Sequence, residues 1–113
     1  MRDIFKISFS SIYPLYLQKI TKKGQTKTEL DTVIEWLTGF DSQVLLQLIS
    51  SNVSLEEFLN QAQFNENARL ITGTVCGCRV EEIEDEKMRK LRYLDKLVDE
   101  LAKGWKMDKI IIQ

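Results

Sequence analysis

The chain has 113 residues, 43% apolar and 29% charged, with a net charge of −1 at pH 7. That length fits one domain, residues 1–113, with a core that needs no disulfide or metal staple. The near-neutral charge gives no global signature for nucleic acid or membrane, no apolar run reaches the ~20 residues of a bilayer span, and the lack of histidine removes the commonest general base and metal ligand.

The opening residues, Met1-Arg-Asp-Ile-Phe-Lys6, break their apolar residues with charges, unlike a secretory signal. The expected compartment is the cytoplasm, and the two cysteines are expected as reduced thiols. Residues 3–9 place Ile4, Phe5, Ile7 and Phe9 among Asp3, Lys6 and Ser8, a partial alternation that allows a short strand. Ser10 or Ser11 can cap the next helix, with Pro14 tolerated in its first turn. Leu15, Leu17 and Ile20 give that helix an apolar side, and Lys22, Lys23 and Gly24 end it with cations at the negative end of its dipole.

A second helix starts near Thr26 or Thr28. Its Leu30, Val33, Ile34 and Leu37 recur at i, i+3, i+4 and i+7, which is one helical face, and Gly39 ends it. Asp41 caps a third helix with Val44, Leu45, Leu48 and Ile49 on its apolar face. Ser54 and Glu57 form a capping box for a fourth, with Val53 and Phe58 placed as a hydrophobic staple.

Residues 66–78 read as helix or as strand. Leu70, Ile71, Val75 and Cys78 can share a helical side, but Thr72, Gly73, Thr74 and Val75 are mediocre helix formers. The last helix has the strongest pattern. Asp85 is its N-cap and Glu86 lies in its first turn; Met88, Leu91, Leu94, Val98, Leu101 and Trp105 step by three or four, Leu97 widens the stripe, and Gly104 stops it. The tail from Lys109 to Gln113 prefers a strand and can pair with residues 3–8, bringing the termini together.

The chain resembles a small bacterial family catalogued only as a domain of unknown function, the twenty-two hundred family. The resemblance covers nearly the whole chain. It rests on Tyr13-Pro14, Lys23-Gly24 with Thr26-Lys27, Trp36-Leu-Thr-Gly-Phe40, Leu70-Ile-Thr-Gly73 with Val75-Cys-Gly77, Arg79-Val-Glu-Glu-Ile-Glu-Asp85, and Arg92-Tyr-Leu-Asp-Lys-Leu97 with Asp99-Glu-Leu-Ala-Lys-Gly104. Glu86 and Cys78 depart from the family pattern, which has proline and a non-cysteine there. The resemblance implies no activity, substrate or catalytic residue.

Cys76-Gly-Cys78 is the obvious chemical candidate, with Cys76 as a reactive thiol. A zinc site needs four ligands, and no other cysteine or histidine exists here. Buried core is the expected setting of both thiols, and no cofactor or metal is expected. Gly73, Gly77 and Ile83 match the spacing of a helix-turn-helix, but five of the six residues from Glu81 to Glu86 are acidic and would repel DNA. Lys19, Lys22, Lys23 and Lys27, near Tyr13 and Tyr16, offer a basic patch with aromatics; residues 1–30 hold six basic and two acidic side chains. Solvated helix ends, favoured by the dipole, are the expected reading of those lysines.

On the last helix Arg92 and Asp95, Lys96 and Glu100, and Asp99 and Lys103 are spaced for i, i+3 or i, i+4 pairs that support a helix without any function. Tyr93 among them suits an interface, since Tyr and Arg are enriched in hot spots. Arg79, Arg92, Tyr93, Asp95 and Lys96 are therefore the candidate interface.

The sequence thus predicts a mainly α fold, a compact bundle of about five short helices with a small strand pairing of the two termini. The expected role is a cytosolic, non-enzymatic protein-interaction module, with a protein partner or self-association through the last helix or residues 70–80. The alternatives are a nucleic-acid accessory protein using the basic N-terminal quarter, with nucleic acid disfavoured by net charge, and a thiol-dependent redox protein or enzyme using Cys76. No membrane contact is expected.

Overall fold

The computed structural model describes residues 3–75 and 77–111. The described fold is mainly helical. It comprises α1 (Phe9–Thr21), α2 (Lys27–Thr38), α3 (Ser42–Ser50), α4 (Leu55–Gln61), an antiparallel hairpin of β1 (Thr74–Val75) and β2 (Cys78–Arg79), then α5 (Glu86–Ala102) and the single turn α6 (Met107–Ile110). Short 3-10 turns occupy Ile4–Lys6, Glu66–Leu70 and Val80–Glu82. No helix among the described residues is long and apolar enough to cross a membrane.

α5 is the central element. Leu91, Leu94, Leu97, Val98 and Leu101 are buried along it, and α1, α2, α4, α6 and β1 all pack on it. Its N-cap is Asp85, which accepts from the Lys87 amide at 3.1 Å. The expected α2 stripe is also realised: Leu30, Val33, Ile34 and Leu37 are fully buried. Thr26 and Glu29 form a complete capping box at the start of α2. At its end Gly39 takes φ +78°, and a Cβ there would meet the Gln63 carbonyl oxygen at 2.8 Å, so only glycine lets the chain seal against residue 63. Asp41 caps α3 through the Val44 amide at 2.8 Å.

Several expectations are corrected. Residues 3–8 are not a strand: the Asp3 side chain accepts from the Phe5 amide, and the turn Ile4–Lys6 drives Phe5 into the core. The tail does not pair with them, because Met107–Ile110 winds into a turn that buries Ile110; residues 112–113 lie outside the described residues. α1 starts at Phe9, two or three residues earlier than expected. Ser8 is held extended against Ser54 by bonds from the Phe9 amide to Val53 (2.9 Å) and from the Leu55 amide to Ile7 (2.8 Å), so the helix begins as soon as the chain leaves that bridge. Pro14 therefore lies inside α1, on an exposed side. The buried stripe of α1 is Phe9, Ile12, Tyr13 and Ile20, and Leu15 points outward at 64% exposure. Phe9 stacks on Phe58 with centroids 3.8 Å apart, joining α1 to α4. Only half of the Ser54 box forms, the Glu57 amide to the Ser54 hydroxyl at 3.1 Å.

The ambiguous segment resolves into a 3-10 turn at Glu66–Leu70 and strands after Gly73. Gly73 and Gly77 have φ of +111° and +80°, left-handed values that end any helical reading and place the glycines whose spacing matches a helix-turn-helix on the hairpin. Trp105 leaves the α5 stripe because Gly104, at φ +86°, turns the chain; the indole is 47% exposed.

Candidate functional site

The polar side of α5 is built from the ion pairs its spacing predicts. Arg92 and Asp95 meet at 2.8 Å, Lys96 and Glu100 at 3.8 Å, and Asp99 and Lys103 at 3.0 Å. These pairs do not face open solvent together. The Tyr16 hydroxyl on α1 donates to Asp95 at 2.6 Å, and Lys19 on α1 reaches Asp99 at 3.3 Å, so both carboxylates fasten α1 to α5. Burial pushes the Asp99 carboxyl up, but the hydrogen bonds from Lys103 and Lys19 outweigh it and hold that group below its ordinary value.

Lys96 and Glu100 are buried, at 7% and 6% exposure. The Lys96 ammonium lies 3.4 Å from the Thr74 carbonyl oxygen and 5.9 Å from the centre of the Trp105 ring. Gly73 leaves its room: a Cβ there would stand 3.0 Å from Lys96 Cε. Burial pushes the Glu100 carboxyl up against the pull of Lys96.

The five candidate interface residues are therefore dispersed. Arg92 and Asp95 lie in the α1–α5 seam, Lys96 lies under the hairpin, and Tyr93 packs on Phe64 with centroids 6.4 Å apart. Arg79 is exposed on β2, 3.7 Å from Glu82. Arg92, Tyr93 and Asp95 are half-buried on α5, whereas Lys96 is buried beneath the hairpin. Cys76 lies outside the described residues. Cys78 is an exposed free thiol rather than a core residue. Among the described residues no group of three or more His, Cys, Asp or Glu is placed to hold a metal.

The basic quarter is likewise divided. Lys27 pairs with Asp31 at 2.8 Å and sits 5.7 Å from the centre of the Tyr13 ring. Tyr13 is buried and donates its hydroxyl to Asp31, so its ring offers no stacking platform for a base. Lys19 and Lys23 lie elsewhere, lining a pocket beside Asp99.

A different surface carries the features of a binding site. Lys27, Asp31 and Glu35 of α2 face Ser42, Leu45, Leu46 and Ile49 of α3 across a groove of about 220 Å³. One wall is apolar, and its Leu46 is 60% exposed. The other wall carries Asp31 and Glu35. Burial first, then the nearby carboxylates of Asp31 and Asp41, push the Glu35 carboxyl up. Among the described residues Glu35 has no ion-pair partner of its own. Sequence reasoning missed this groove, although one signal was present. Val44-Leu45-Leu46 followed by Leu48-Ile49 is more apolar than one buried face of a nine-residue helix requires; Val44 was expected in the core and is 38% exposed.

A family model described as an uncharacterized protein conserved in bacteria (DUF2200) matches residues 3–112. Among solved structures the chain is similar to the crystal structure of uncharacterized protein SP1917. The two are 34% identical with a TM-score of 0.91, over 96% of this chain and 89% of that one. No curated protein matches the chain.

Proposed function

We propose that this chain, which belongs to the DUF2200 family of bacterial proteins, is an interaction module that receives a basic amphipathic segment of a partner protein in the groove between α2 and α3. On this reading it works in the cytoplasm and without catalysis. The observation that carries the proposal is the pairing of an apolar wall, exposed Leu46 with half-buried Ile49, with a carboxylate wall in which Glu35 has no ion-pair partner among the described residues. An incoming ammonium or guanidinium beside Glu35 would relieve the repulsion from Asp31 and Asp41, and its apolar neighbours three or four residues on would cover Leu46. The α2–α3 groove is favoured over α5 because it joins an exposed apolar residue, Leu46, to a carboxylate wall, whereas Arg92, Asp95 and Lys96 of α5 already hold partners within the fold.

The test is fluorescence anisotropy with a labelled helical peptide of leucine and lysine, alongside its leucine–glutamate counterpart. The basic peptide is expected to bind and the acidic one not. Leu46→Asp and Glu35→Lys are each expected to weaken binding about tenfold, the scale of one interface hot spot. Equal binding of both peptides, or unchanged affinity in both variants, would refute the reading.

A further inference from the structure

α1 and α5 end side by side. Lys19 of α1 meets Asp99 of α5 at 3.3 Å, and a Cβ on Gly104 after α5 would lie 3.8 Å from Gln25 Nε2 after α1. Lys19, Lys23, Asp99, Ala102 and Lys103 line a pocket of about 380 Å³ between these ends.

The charge around this pocket is not balanced. Asp99 holds Lys19 and Lys103, while among the described residues Lys22 and Lys23 pair with no carboxylate. Three lysines, Lys19, Lys23 and Lys103, thus line it against one carboxylate and two helix ends worth about half a negative charge each, an excess of about one positive charge. The excess is local, since the chain as a whole carries −1. Asp99 also fixes the direction of two of the ammonium groups, and its depressed pKa keeps it ionised at neutral pH. The floor is Ala102, whose small side chain leaves the space open.

From this we infer that the pocket between the ends of α1 and α5 binds a small polyphosphate, free or esterified, through Lys19, Lys23 and Lys103. Lysines act on phosphate as mobile point charges, and several converging on one cavity favour a multiply charged oxyanion over a single carboxylate. The cavity has the size of a small ligand. A polynucleotide is disfavoured because Lys27 is neutralised by Asp31 and Tyr13 is buried, so the basic track does not continue along the chain. The site is independent of the α2–α3 groove.

Isothermal titration calorimetry with tripolyphosphate at low salt tests the inference, with ATP as the esterified probe and a single-stranded oligonucleotide as the macromolecular one. Saturable one-to-one binding is expected for tripolyphosphate. A similar ATP affinity would assign recognition to the phosphate chain, and a tighter one to an esterified ligand. Lys23→Gln, which removes an exposed charge with no ion pair among the described residues, is expected to weaken binding roughly five- to tenfold. No saturable binding, affinity unchanged in Lys23→Gln, or an oligonucleotide that binds more tightly than tripolyphosphate would each overturn the proposal.

Discussion

Replacing Lys96 by Met should cost far more than replacing Lys96 and Glu100 together. Both side chains are under a tenth exposed, and their charges lie 3.8 Å apart. At an effective dielectric near 20 that separation corresponds to about 4 kcal/mol of attraction. Lys96→Met removes it and leaves Glu100 charged in a site where burial already pushes its carboxyl up. The expected loss is about 3 kcal/mol, in line with breaking one side of a buried pair. In urea, with a slope of about 1.5 kcal/mol/M for a chain of this size, the midpoint falls by about 2 M. The double variant Lys96→Met with Glu100→Leu removes both desolvation penalties and should sit within about 1 kcal/mol of the parent. The pH dependence has a definite sign. Because the folded pKa of Glu100 is raised, the folded state keeps a proton that the unfolded state loses, so stability falls as pH rises through the window above the usual carboxylate value. Lys96→Met should deepen that fall, and the double variant should abolish it. Urea midpoints for parent, both singles and the double, at pH 4.5 and pH 7, decide the matter. A coupling energy near zero would show that water screens the pair and that Lys96 does not anchor the hairpin.

Gly73→Ala should destabilise the protein by about 1–3 kcal/mol, since φ +111° and a 3.0 Å contact with Lys96 Cε act together. Gly77→Ala, where φ is +80° and a Cβ meets nothing within 4 Å, should cost less; thermal melts of the two showing equal losses would remove the claim that Lys96 fills the space beside Gly73. Tyr13 holds its proton up to about 12, through burial first and then the Asp31 hydrogen bond and charge. An unfolded tyrosine ionises near ~10, so stability is intact below ~10 and declines as pH rises toward the folded value. Tyr13→Phe should flatten that alkaline decline and lose about 1–2 kcal/mol at neutral pH, where Asp31 loses a donor; an unchanged alkaline slope in denaturation curves would contradict this. Leu46→Asp should leave the melting temperature nearly unchanged, as an exposed position allows, and a large drop would mean that Leu46 supports the core.

The parts of the fold legible in the sequence are those governed by local rules. Leu30, Val33, Ile34 and Leu37 share a face by spacing alone, and Thr26, Asp41 and Asp85 satisfy amides within three residues of themselves. The α5 ion pairs follow from the same periodicity. Their burial does not. An i, i+4 Lys–Glu pair looks the same on a solvated helix as on one covered by a hairpin, and the cover depends on Gly73, which lies 23 positions away from Lys96 in the chain. The start of α1 is hidden from the sequence for a similar reason: the bridge that sets it joins Ser8 to Ser54, 46 positions apart. Residues 4–6 and 107–110 were too short for periodicity to separate a strand from a helical turn. The α2–α3 groove needed the crossing of two helices before Glu35 and Leu46 could be seen to share it.

Titrating isotope-labelled protein with the basic leucine–lysine peptide and following backbone amide shifts locates the docking surface. If the α2–α3 groove receives the peptide, the largest changes fall at residues 27–35 and 42–49 and saturate together. Changes centred on residues 74–79 and 92–96, or none at saturating peptide, would contradict it.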